Sequence, residues 1–324
     1  MSAADAGTPD AGPADAVAIT ALAGTAGSAR AAGGTRAGVR AVAYGLLGVL
    51  VLAAVWELYK LLGPADGWSL AGARVLPRTT DLAMPHVWEM ATELGTPLSS
   101  ATGAPALAVA VLRACGLSFA IALLSWAIGV VVGFFLALAM QRVRIAESAF
   151  LPLVVLSQTV PLIALAPVVS SWGSRIRVGP WEWDAWMSVA VIAAYLAFFP
   201  VAVGALRGLQ SPDAIHTDLM RSYGAGWWQT LGRLRLPASV PYLLPALRLA
   251  GANAVVGTVV AEVSTGLPGG VGRMIVEFAN FASSAPARPW APLLGAVLLG
   301  LVTAGIVAAL GVALRRFRRT EVPA

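Results

Sequence analysis

Six apolar runs, each long enough to cross a lipid bilayer as a helix, constrain this chain more than any other feature of it. They are Ala41 to Leu62, Ala114 to Met140, Phe150 to Trp172, Trp186 to Leu206, Val240 to Val263 and Ala291 to Leu314. A hydrocarbon core of about 30 Å needs a helix of about 20 residues. Backbone groups in lipid must be satisfied within the segment, so such runs are helical, whereas a membrane β-barrel would show short alternating segments. The runs predict an all-α membrane protein with six transmembrane helices. Composition agrees: 58% of the 324 residues are hydrophobic and 12% charged, against about a quarter charged in soluble domains.

The flanks sort the chain into regions. Residues 1–38 are rich in Ala, Gly, Thr, Asp and Pro and poor in large apolar side chains. They predict a disordered tail, because they bury too little surface to offset ordering entropy. Residues 39–108 hold the first span and an extracytoplasmic segment, 109–314 form the core, and 315–324 are a basic tail. The net charge of +6 punctuates the apolar runs instead of clustering with aromatics, so it reads as topology control and not as nucleic-acid binding. With the N-terminus inside, Arg30, Arg36, Arg40, Arg142, Arg144, Arg207, Arg221, Arg233, Arg235, Arg315, Arg316, Arg318 and Arg319 are cytoplasmic. Fewer basic residues lie outside, so both termini and the loop between the fourth and fifth spans are expected in the cytoplasm. Arg248 falls within a span and is expected to snorkel towards the cytoplasmic interface.

Cysteine and histidine chemistry has little support. Cys115 is the only cysteine, and His86 and His216 are far apart in sequence, so neither a disulfide nor a metal site is expected. A phosphate-binding P-loop needs GxxxxGK[ST]. Lys60, the only lysine, is followed by Leu61 and preceded by no glycine-rich loop. The chain is therefore not expected to be an enzyme or to bind a cofactor.

The fourth-to-fifth loop carries the densest signal. In SPDAIHTDLMRSYGAGWWQTLGRLRLPASVP, Ser211 to Pro241, Ser211 reads as an N-cap followed by Pro212 and Asp213. Ile215, Leu219 and Tyr223 recur at four-residue spacing as one apolar stripe. Gly224 reads as the end of that helix. A second short helix through Trp227, Leu231 and Leu234 is expected to stop before Pro237. Two short amphipathic helices need a cover for the stripe, either lipid headgroups or a protein groove.

DLMRSYGAGWWQTLGRLRLP resembles the EAA loop of binding-protein-dependent ABC importer permeases. Asp218 stands at the acidic position, Gly224 at the glycine and Leu236-Pro237 at the closing pair. Leu219 and Met220 replace the usual alanines, and Gly226 replaces a Ser or Thr cap. Ser157 to Gly173, Phe198 to Ser211, Ala246 to Ile275 and Leu76 to Thr80 are similar to stretches of the nitrate, sulfonate and taurine subgroup. The resemblance implies a type I importer permease fold with a cytoplasmic coupling helix. It further implies a homodimer in the bacterial cell membrane, a separate ATPase carrying the ATP and Mg, and an external substrate-binding protein. The cargo would be a nitrate-, sulfonate- or taurine-like anion or a small vitamin precursor. The coupling residues it implies are Asp218, Gly224, Ala225, Trp227, Trp228, Leu236 and Pro237; interfacial anchoring in lipid is the competing role for the two tryptophans.

Polar groups inside apolar spans are costly, and they mark a candidate pathway: Ser157, Gln158 and Thr159 in the third span, Asn253, Thr258 and Glu262 in the fifth. For Glu262 a structural hydrogen bond or ion pair is favoured over contact with cargo. The Trp-rich outer segment Ser174 to Asp184 would contact a binding protein or cap the pore. Two other classes compete: an ion-coupled secondary transporter, which would show repeats and midplane ionisable groups, and a scaffold that recruits a cytoplasmic protein.

Overall fold

The computed structural model describes residues 43–70, 73–76, 78–99 and 101–313. The expected N-terminal tail, the basic C-terminal tail, Ala41 and Leu314 lie outside the described residues. The chain divides into two units, Met1–Thr80 and Asp81–Ala324.

In the first unit, α1 (Ala43–Leu62) is an apolar helix of 20 residues, followed by an antiparallel pair, β1 (Trp68–Leu70) and β2 (Ala73–Leu76). The Thr79 hydroxyl donates to the Gly63 carbonyl over 3.2 Å.

The second unit begins with the short helix α2 (Val87–Glu93). Leu94 and Leu98 rest on the cluster that contains Leu107, Val111 and Ala291. Arg288 fixes that segment, donating to the carbonyls of Pro97 (3.0 Å) and Leu98 (2.8 Å). The long helix α3 (Leu107–Arg142) starts well before the expected Ala114. Pro105 sets the start, and the single exposed Arg113 does not interrupt the helix.

The expected third span is not one straight helix. It consists of α4 (Arg144–Ser157) and α5 (Leu162–Gly173), bent by 103°. Pro161 is the cause: it lacks a backbone donor and biases Val160 away from helical angles, so α4 ends and α5 starts anew. Pro167 stays inside α5. A small hairpin follows, β3 (Arg177–Val178) with β4 (Trp181–Glu182), and then α6 (Ala185–Leu209).

The register of the helices decides what the bent pair does. Ile121 of α3 shares a cluster with Val189 and Ile192 of α6. Gly129 meets Ala197 and Gly133 meets Val201. Ala137 and Met140 pack with Ala205 and Leu209. The numbers rise together, so α3 and α6 run parallel, side by side. The contact is backbone to backbone: a Cβ on Gly133 would lie 2.5 Å from the Phe198 carbonyl oxygen. Small residues at such crossings are how membrane helices approach closely enough for dispersion to hold them. Parallel neighbours require the chain between them to return to the starting side. The bent pair α4–α5 is therefore a crossing span and not a re-entrant loop, and it brings the five long helices to six spans.

The remaining helices follow. α7 (Ala214–Ser222) and α8 (Trp227–Thr230) form the loop after α6. A π-helical turn (Leu231–Arg235) joins α8 to α9 (Leu236–Thr265). α9 runs antiparallel to α6, with Gly208 against Ser239, Gly204 against Ala246 and Gly257 against Ala193. α10 (Val271–Ala279) is short. α11 (Trp290–Ala313) runs parallel to α3, with Gly295 against Val111 and Cys115. The C-terminal ends of α3, α6 and α11 therefore share one end of the unit with the α7–α8 loop.

Candidate functional site: the α7–α8 loop and the polar groups of the core

The base of the loop is fastened to the core. Helix α6 leaves carbonyls unpaired at its end; the Ser211 hydroxyl takes that of Gly208 (2.8 Å), and an Arg235 Nη1–H takes that of Leu209 (3.1 Å). Ser211 thus closes α6 and does not cap the next helix; the N-cap of α7 is Asp213. Gln210 donates to Glu147 of α4 over 2.9 Å. Below this layer, buried Leu231 and half-buried Trp227 and Leu236 pack on Met140, Leu206 and Leu209. The Arg142 guanidinium lies 4.8 Å above the Trp227 ring, a cation–π contact that holds α3 to the loop.

Gly224 turns the chain as the sequence predicts. Its φ is +70°, and two reverse bonds close the end of α7: Gly224 N–H to the Arg221 carbonyl (2.9 Å) and Ala225 N–H to the Met220 carbonyl (3.0 Å). This is the Schellman pattern, and an L side chain at Gly224 would be strained. Gly226 caps α8, and Gln229 Oε1 accepts its N–H over 3.1 Å. The second helix does not stop before Pro237. It widens into the π turn, which absorbs the missing donor and ring of Pro237, and continues as one helical stretch from Trp227 to Thr265.

The tip of the loop is bare. Ile215 is 74% exposed, Leu219 51%, Tyr223 80% and Trp228 74%. Asp218 pairs with Arg221 over 3.2 Å on the exposed surface of the same helix. An α7 of nine residues is too short to be stable by propensity alone. Covering each of the four side chains would contribute on the order of 1.5–3 kcal/mol. The two tryptophans therefore differ: Trp227 belongs to the base and Trp228 to the tip.

The six polar candidates of the spans separate into two sets. Ser157, Gln158 and Thr159 sit at the break between α4 and α5, where the Tyr195 hydroxyl of α6 donates to the Ser157 carbonyl. Asn253 of α9 donates to the carbonyl of the neighbouring residue, Leu196, over 3.1 Å. The Ser157 carbonyl and Asn253 therefore attach at one level of α6, near its middle, while the Gln158 and Thr159 side chains bond within the break itself, to Ser157 and Leu156. Tyr195, which holds the Ser157 carbonyl, was not singled out from the sequence, because a lone Tyr in an apolar run reads as packing.

Thr258 and Glu262 do not join that set. Thr258 is fully buried and donates to its own helix at Ala254 (2.8 Å). Glu262 is fully buried between α9, α3 and α10. The Ser118 hydroxyl donates to its Oε1 (2.6 Å) and the Gly272 N–H to its Oε2 (2.8 Å). Ser118 in turn accepts the Val271 N–H over 2.9 Å. The carboxylate fills the start of α10, where a Cβ on Gly270 would come 2.4 Å from its Cδ. Glu262 is thus held by structural hydrogen bonds, the reading the sequence favoured. Its partner Ser118 lies 144 residues away in the chain; the only local signal was a hydroxyl inside an apolar run. In the outer segment, the Trp183 indole donates to Ser188 over 2.8 Å and packs on Gly173.

Fold and loop together define a polytopic helical membrane protein with a surface loop built onto the ends of its core helices. The family described as the inner membrane component of binding-protein-dependent transport systems matches residues 129–319, and the chain belongs to that family. It is 35% identical over 164 residues to the formylaminopyrimidine transport permease protein ThiX of Halalkalibacterium halodurans; the match covers 50% of this chain and 62% of that protein. It is 32% identical over 127 residues to the putative aliphatic sulfonates transport permease protein SsuC of Bacillus subtilis, covering 39% and 42%. Among solved structures, an amino acid ABC transporter crystallised with histidines is 15% identical, with a TM-score of 0.49 over 63% of this chain and 93% of that one.

Proposed function

We propose that this chain is the transmembrane permease subunit of an ATP-driven importer, and that the tip of the α7–α8 loop is where a separate ATPase docks. The carrying observation is the apolar tip of Ile215, Leu219, Tyr223 and Trp228, exposed on a base that is bonded to α4, α6 and the start of α9. An apolar helical face held out from a membrane protein suits an apolar groove on a partner. A load on the tip reaches the core through that base and through the helix continuous from Trp227 to Thr265.

On this reading the loop end faces the cytoplasm, where arginines concentrate, and both termini are cytoplasmic. ATP and Mg belong to the partner, and this chain catalyses no reaction. A second copy completes the pathway, an external binding protein delivers the cargo, and the polar set at Ser157, Gln158, Thr159 and Asn253 lines it. The relatives that transport formylaminopyrimidine and aliphatic sulfonates support a small anion or vitamin precursor as cargo. Ion-coupled transport is weaker, because Glu262, the one carboxylate inside α3, α5, α6, α9 and α11, has both oxygens bonded in the core.

The test is copurification and transport. The tagged chain, expressed with its genetically neighbouring ATPase, should retain it, and Leu219→Asp should release it without loss of the folded chain. Uptake of cargo in vesicles that contain the chain but no ATPase would overturn the proposal.

A further inference from the structure

We propose that an anionic phospholipid of the loop-side leaflet binds in the groove between α9 and α11, its phosphate on Arg248 and an acyl chain along the groove floor. The groove has a volume of about 450 Å³. Its walls are two facing stripes at four-residue spacing: Arg248, Ala252 and Val256 on α9, and Gly300, Ala304 and Ala308 on α11. The helices run antiparallel here, with Gly251 level with Thr303 and Val307. Arg248 therefore lies level with Ala308, at the end of the groove nearer the α7–α8 loop. The stripe above it is about 12 Å long at 1.5 Å per residue and is lined by small side chains, apolar except for Thr303, whose hydroxyl is bonded to the Leu299 carbonyl of its own helix, a fit for a hydrocarbon chain.

Arg248 supplies the specificity. It is exposed and makes no hydrogen bond or ion pair with the described residues. A cation at this depth needs an anionic partner, and basic pockets between spans on the cytoplasmic side take acidic headgroups. Arg248 lies on the loop side of the groove, from which a snorkelling guanidinium extends towards the headgroup layer of that side. A soluble anion would place its polar remainder against Ala and Gly. A helix from a second copy would need a carboxylate there: Glu262 is sealed in the core, Glu57 of α1 already has a partner, and Glu147 of α4 accepts from Gln210.

Thermal unfolding of the purified full chain in detergent, with added lipid, tests this. Phosphatidylglycerol should raise Tm by on the order of 5 °C more than phosphatidylcholine of the same acyl chains, and inorganic phosphate should give no rise. Arg248→Gln should remove the phosphatidylglycerol increment and Arg248→Lys keep most of it. Ala304→Leu, which fills the floor, should reduce it with the cation intact. Equal response to the two lipids, an undiminished increment in Arg248→Gln, or a rise with phosphate alone would each overturn the proposal. So would efficient disulfide-linked dimers of Gly300→Cys in membranes, which would place a second copy in the groove.

Discussion

The two ends of α9 solve opposite problems. At the end away from the α7–α8 loop, Glu262 is a carboxyl group taken wholly out of solvent, and three donors from two other elements converge on it and on Ser118. At the loop end, apolar side chains stand in the open above a base tied by Ser211, Gln210 and Arg235 Nη1, in which the buried Trp227 Nε1 and Arg235 Nε have no hydrogen-bond partner among the described residues. The Glu262 end is complete within one chain. The loop end is complete only in its base. The contrast separates what this chain needs in order to fold from what it holds out for something else, and substitutions at the two ends should act on different measurements.

The largest effect should come from Glu262→Ala. It leaves the Ser118 hydroxyl and the Gly272 N–H without an acceptor in a buried site, at a cost of about 3–5 kcal/mol. In detergent, the Tm of the full chain should fall by roughly 10 °C. A Tm within a degree or two of the wild type would show that water reaches the site and that the comparison fails. Next, Gly270→Ala drives a Cβ into the carboxylate and should cost about 1–3 kcal/mol, again read as Tm.

At the loop end the adjacent tryptophans sharpen the contrast. Trp227→Ala removes packing on Leu209 and the Arg142 contact and should cost about 2 kcal/mol. Trp228→Ala should leave Tm unchanged within about 0.5 kcal/mol, while weakening ATPase capture by about tenfold or more. If the two substitutions lower Tm alike, the base and tip are not distinct. Gly224→Ala strains a positive φ by about 1–2 kcal/mol and should disturb docking more than global unfolding. Smallest of all, Asp218→Asn breaks only an exposed pair with Arg221 and should cost at most about 0.5 kcal/mol.

Much of this architecture was legible in the sequence because lipid leaves a helix few alternatives. The first, second, fourth, fifth and last spans follow from apolar length, with ends displaced where a charge was taken for a boundary, as at Arg113. Gly224 was legible because its turn needs a left-handed residue. The break at Pro161 was signalled by the proline, but not its 103° angle, which depends on where α6 receives the chain. The continuity past Pro237 was not legible either: a proline reads as a stop, and only the π turn shows how the helix absorbs it. The split among the polar candidates was hidden for another reason. Asn253, Thr258 and Glu262 look alike along one helix, and what separates them is which neighbour each meets.

The helical stretch from Trp227 to Thr265 counts 39 residues, which at 1.5 Å each makes a strut of roughly 58 Å. One end carries the surface loop and the other carries the Glu262 junction. A strut transmits thrust along its axis with little loss, since helical hydrogen bonds are stiff in compression. Its weakened points are the widened turn at Leu231–Arg235 and Pro237, Pro241 and Pro245, each of which removes a helical hydrogen bond, all towards the loop end. Sideways jostling of the loop should be taken up at those points, while axial displacement should pass on to the Glu262 junction. With a partner docked on the tip as proposed, the direction of a push, more than its size, should decide whether the Glu262 end of the helix feels it.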